Sequence, residues 1–94
     1  MSTFIKDLVK RKIKQLSYED LLYYGEQYGF SLTQTEAKNI TIYIKTNTID
    51  PFNENDRKKM FQDLAEITNT DTAEKAQRLF SEIISSYGLD HLFN

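Results

Sequence analysis

The chain places a short oxygen-bearing side chain three residues ahead of a carboxylate at three points: Ser17 before Asp20, Thr33 before Glu36 and Asp71 before Glu74. The first side chain can accept from an orphan N–H of a new helical turn. The carboxylate can reach back to the cap's own N–H, and it also suits the positive end of the helix dipole. The Ser and Thr versions match the capping box closely, and the Asp version is a looser variant. Signals this frequent divide the chain into short, separately capped helices. They constrain the fold class strongly and say little about chemistry.

Between the caps, apolar residues recur with helical spacing. The first helix is expected over residues 3–16, with Phe4, Ile5, Leu8, Val9, Ile13 and Leu16 on its inner half and Lys6, Lys10, Arg11 and Lys14 on its outer half. Lys12 falls within the inner half, where its stem can follow the core edge or its ammonium can meet a carboxylate. Ser17 opens a second helix ending at Tyr28, with Gly29 in the left-handed position beyond it. On this helix Tyr18, Leu21, Leu22, Tyr24, Gly25 and Tyr28 share a face, and Tyr23 points outward. Gly25 within that face signals the close approach of another helix. Residues 39–45 also alternate like a strand. The upstream box and the stripe Ala37, Ile40, Thr41 and Ile44 favour helix, although strand remains open. Residues 47–53 form a loop around Asp50-Pro51. Asn53 or Asn55 then opens a fourth helix with Met60, Phe61, Leu64 and Ile67 inward. A fifth carries Ala73, Ala76, Leu79, Phe80, Ile83, Ile84 and Tyr87 and stops at Gly88. The apolar tail 89–94 is expected to fold back or to dock elsewhere.

Ninety-four residues with 39% apolar content suit one domain, residues 1–94, with one small core. The fold class is all-α, with about five short helices. No cysteine is present, so disulfides, thiolate nucleophiles and cysteine-bound metals are excluded. No run suits a signal peptide or a membrane span, and a cytoplasmic protein is expected.

Candidate chemistry is sparse. His91, the sole histidine, stands near the end of the chain with no group to orient it. Asp50, Glu54, Asp56 and Asp63 invite a calcium-loop reading, but Phe61 occupies the position that requires Glu. Helix capping explains those carboxylates without a metal. Gly25, Gly29 and Gly88 make no phosphate loop. Tyr18, Tyr24 and Tyr28 can stack on bases. Their acidic surroundings repel phosphate, so core packing with hydroxyls at the rim is the preferred reading.

Charge is the remaining lead. The net value is −2. Residues 1–16 carry five bases against Asp7, while residues 17–32 carry Glu19, Asp20 and Glu26 with no base. Lys6, Lys10, Arg11 and Lys14 therefore form the candidate binding face, unless they pair with the acidic second helix. The chain reads as a non-catalytic interaction or regulatory module with a protein partner, without cofactor or metal. Weak nucleic-acid binding through the first helix is the alternative, and the acidic overall balance disfavours it.

The stretch 16–37 has Ser17-Tyr18-Glu19-Asp20 at one helix start, Tyr23-Tyr24-Gly25 within it, Tyr28-Gly29-Phe30 at its end and Thr33-Gln34-Thr35-Glu36 at the next start. It resembles the YqfT-like group, an uncharacterised family of small helical proteins from spore-forming Gram-positive bacteria. The resemblance spans most of the chain and implies a small cytoplasmic helical protein with no assigned activity or site residues. The layout is also similar to SAP-type DNA-binding modules, but Glu19, Asp20, Glu26 and Glu36 stand where such a module presents bases.

Overall fold

Five helices follow one another in a computed structural model that describes residues 2–88, with backbone alone for Ser2 and Thr3. They are α1 (Ser2–Lys14), α2 (Tyr18–Gln27), α3 (Gln34–Thr46), α4 (Glu54–Ile67) and α5 (Thr70–Ser86). Among the described residues there is no strand, and residues 39–45 lie inside α3. His91 and the tail 89–94 lie outside the described residues.

Two of the three capping signals close as full boxes. Ser17 Oγ accepts from the Asp20 N–H at 3.1 Å, and Asp20 Oδ2 accepts from the Ser17 N–H at 3.0 Å. Thr33 and Glu36 exchange the same bonds at 3.0 and 2.9 Å. The Asp71 signal is displaced. α5 begins earlier, and Asn69 caps it by accepting from the Thr72 N–H at 2.8 Å. Asp71 becomes a first-turn carboxylate, where the helix dipole still favours it. Asn53 caps α4.

α2 ends in a Schellman turn, with Tyr28 as C-cap. Phe30 N–H donates to Gly25 O at 2.7 Å, Gly29 N–H donates to Glu26 O at 3.2 Å, and Gly29 takes φ +82°. This turn corrects the expectation for Gly25. The chain that approaches it is the α2–α3 connection, with Leu32 Cδ1 and Phe30 Cβ at 3.4 and 3.6 Å from the place a Cβ would take, and not a crossing helix. Lys75 of α5 donates to Gly29 O and lies 5.2 Å from the Phe30 ring centre. A cation thus sits at the negative end of α2 and ties α5 to this turn.

The loop between α3 and α4 supplies the core's best-buried large side chain. Asp50 Oδ1 accepts from the Phe52 N–H, Asp56 Oδ2 accepts from the Asp50 N–H, and Arg57 donates to Pro51 O. These bonds turn Phe52 inward, where it is 3% exposed. Ala37, Ile40 and Ala73 are its buried apolar companions. The principal seams are α4 on α5, α2 on α3, α3 on α4 and α1 on α3. Apart from buried Ala73, the stripes of α4 and α5 are only half-buried, Phe80 included, and Tyr87 at the end of α5 is exposed. The radius of gyration is 12.9 Å, close to the roughly 13 Å of a compact chain this long. The thin core therefore follows from small size and not from a splayed arrangement.

α1 departs most from its expected orientation. Ile5, Val9, Ile13 and Leu16 are partly covered together with Lys6 and Lys10, while Phe4 (71% exposed) and Leu8 are open. The covered arc is rolled by roughly a fifth of a turn from the centre of the apolar half. The reason lies in the neighbours. α1 packs chiefly on α3, with the Phe52 loop beside it, and one neighbour cannot cover a half-cylinder of apolar residues. The roll also carries Lys12 into solvent, away from the core edge, and no carboxylate among the described residues pairs with it. On α2, Tyr24 and Tyr28 are likewise exposed, like Tyr23. Only Tyr18 is partly covered, beneath Lys38 Nζ at 5.0 Å from its ring centre.

Candidate functional site

The roll of α1 divides its basic residues. Lys6 Nζ lies 5.7 Å from the Phe52 ring centre and acts as a lid on the core. Lys10 Nζ stands 3.8 Å from Asp7 Oδ1. Lys14 Nζ donates to Asn47 O at 3.4 Å. Arg11 turns outward with Phe4 and Leu8. Among the described residues no ion pair joins α1 to α2, so the alternative of pairing with Glu19, Asp20 or Glu26 is not realised.

Lys10 and Lys14 converge on a cavity that sequence reasoning did not find. An apolar recess of about 240 Å³ lies between α1, α3, α4 and the 47–53 loop. Ile13, Ile44, Ile49, Met60 and Ile67 give its walls their character. The charged side chains that line it are Lys10 and Lys14, with no carboxylate among the described residues of its lining. The apolar Ile49, Pro51 and Phe52, crowded into seven residues of loop, were the available clue.

One wall is held rigid by a polar chain. Tyr43 lines the recess and its hydroxyl donates to Asp63 Oδ2 at 2.6 Å. Lys59 Nζ donates to the same oxygen at 2.7 Å. The hydrogen bonds from Lys59, first, and Tyr43, second, hold the Asp63 carboxyl below its usual range. Burial, with Asp63 second, pushes the Tyr43 hydroxyl well above the usual tyrosine range. Asp63 is thus a structural acceptor, and Asp50 and Asp56 are engaged in shaping the loop. No group of three or more His, Asp or Glu side chains that could hold a metal ion is assembled among the described residues.

A wider, open groove of about 600 Å³ follows the seam of α4 and α5. Its lining sets Arg57 and Lys58 against Glu54 and Glu74, so it favours neither sign of charge. No helix among the described residues is long and apolar enough to cross a membrane.

Among the described residues these features define a small all-α domain of five helices, four of them N-capped, around a thin core with a cation-rimmed apolar recess. The chain belongs to the family described as "Protein of unknown function (DUF2624)", which matches residues 1–84. It is 30% identical over 78 residues to the uncharacterized protein YqfT of Bacillus subtilis (strain 168), a match covering 83% of this chain and 93% of that relative. The family resemblance carried by residues 16–37 is therefore correct. No solved structure matches the chain.

Proposed function

We propose that this domain is a non-catalytic, cytoplasmic interaction or regulatory module, and that its partner is an acidic protein segment presenting a bulky apolar side chain. The observation that carries the reading is the apolar recess whose lining charges, among the described residues, are Lys10 and Lys14. Its volume of about 240 Å³ lies below the roughly 300–1,000 Å³ usual for small-molecule and cofactor sites. It suits an anchor side chain of a docking segment, with carboxylates of that segment beside the two ammonium groups. Duplex DNA fits less well. Phosphates gain nothing from an apolar recess, and the chain's charge of −2 opposes a polyanion at long range.

A methyl-labelled sample titrated with a Glu-rich amphipathic peptide carrying a central leucine tests this reading. Shifts are expected at Ile13, Ile44 and Met60, with affinity at least about tenfold weaker for Lys10→Glu combined with Lys14→Glu. Unmoved methyl signals at peptide concentrations up to the millimolar range would overturn it. Tighter, salt-sensitive binding of duplex DNA at the same residues would replace it with the nucleic-acid reading.

A further inference from the structure

Two outward faces of this molecule are complementary to each other and cannot meet within one chain. The outer face of α1 carries Phe4 and Leu8, one helical turn apart, with Arg11 and Lys12 on the same exposed arc and Asp7, paired to Lys10, at its edge. Around the exposed side of α2 and its C-cap, Tyr23, Tyr24 and Tyr28 are each more than half exposed; Tyr23 shares its side with Glu19 and Glu26, and Asp20 stands between Tyr23 and Tyr24. The Tyr23 and Tyr24 rings meet edge to face at 5.3 Å, which presets part of an aromatic platform. α2 contains no base. Single exposed apolar side chains are ordinary, but five on two successive helices, framed by opposite charges, form a patterned surface.

We infer that the occupant of each face is the other face of a second copy of this chain. In a two-fold dimer, α1 of one protomer lies on α2 of its partner, and the symmetry repeats the contact with the roles exchanged. Phe4 and Leu8 then rest on the tyrosine platform. Arg11 and Lys12 approach Glu19 and Glu26, and they can stack on tyrosine faces as well. The charge pattern explains why the partner is a copy: Arg11 and Lys12 are the bases of the outer α1 arc, and Glu19, Asp20 and Glu26 stand on an α2 without a base, so a reciprocal pairing uses both sets on each protomer. This contact is independent of the recess beside Lys10 and Lys14, which no variant below alters.

Sedimentation equilibrium of the full chain from micromolar to millimolar concentration, at low and high salt, tests the inference. The wild type is expected to form a dimer that weakens as salt rises. Arg11→Glu with Lys12→Glu, and separately Glu19→Lys with Glu26→Lys, should each weaken self-association at least about tenfold. An equimolar mixture of the two double variants should restore it, because every contact then joins opposite charges again. Phe4→Ser, at a site already open to solvent, should weaken the dimer at every salt concentration while leaving helix content by circular dichroism unchanged. A wild type that stays monomeric throughout overturns the inference. So does a dimer indifferent to the charge reversals, or a mixture that fails to reassociate.

Discussion

Replacing Phe52 by alanine probes the centre of the fold from an unexpected direction, since Phe52 belongs to a loop. A fully buried phenylalanine withdraws about 150–250 Å² from water. At about 25 cal/mol per Å², that is worth about 4–6 kcal/mol, an upper bound because unfolded chains already bury some surface. The cavity scale for Phe→Ala gives about 3–5 kcal/mol. Phe52 is 3% exposed, so the upper part of that scale applies. A domain of this length holds about 5–14 kcal/mol in total, and a loss of about 4 kcal/mol removes a large part of it. With a urea slope of about 1.5 kcal/mol/M, the midpoint falls by roughly 2.7 M. Urea titration followed by far-UV circular dichroism reads this shift directly. Ile42→Ala is the control: Ile42 is exposed on α3, and its change should stay within about 0.5 kcal/mol. Phe80→Ala, at a half-buried position, should fall between the two. A loss below about 1.5 kcal/mol for Phe52→Ala would show that the loop does not seat the core, and the packing argument would fail with it.

The glycines of α2 should respond in opposite directions. Gly25→Ala should stabilise by about 0.5–1 kcal/mol, because the new methyl meets ordinary van der Waals contacts at 3.4 Å or more, whereas Gly29→Ala at φ +82° should cost about 1–2 kcal/mol in thermal or urea unfolding. Tyr43→Phe should cost about 1–2 kcal/mol by removing the hydroxyl that Asp63 accepts. The pH profile of stability should carry both groups. Asp63, depressed in the fold, contributes above its unfolded pKa of about 4, and that contribution disappears as pH falls through its lower folded value. Tyr43, raised in the fold, contributes fully below about pH 10 and loses that contribution as pH rises further; Tyr43→Phe should shrink the acid limb and abolish the tyrosine part of the alkaline one. Ser17→Ala and Thr33→Ala should each cost about 1 kcal/mol, and nearly additive losses in the double variant are expected if the two caps act separately. Lys75→Met should cost about 0.5–1.5 kcal/mol, and amide exchange should quicken at the end of α2, where the ammonium holds Gly29 O.

The five helices and most of their ends are legible in the order of the amino acids, because their causes are local. A capping bond joins residues three apart, and the helical repeat is a property of the backbone, so Ser17, Thr33 and Gly29 speak for themselves, while the choice between Asn53 and Asn55 is made in the structure, for Asn53. Asp71 draws the capping reading away from Asn69 because, of the two, it alone has a carboxylate three residues on. Which arc of a helix meets the core is a different kind of fact. α1 offers five apolar residues over half its circumference, yet it has one principal helical neighbour, and the supply of neighbours decides that Phe4 and Leu8 stay in water. The same shortage leaves Tyr24 and Tyr28 outside, although their spacing matches Leu21 and Gly25. Phe52 shows the converse: no periodicity marks it, and three hydrogen bonds around Asp50 and Pro51 turn it inward. The recess beside Lys10 and Lys14 draws its walls from three helices and a loop. Periodicity records how a residue relates to its own helix, and only the assembled bundle relates one helix to another.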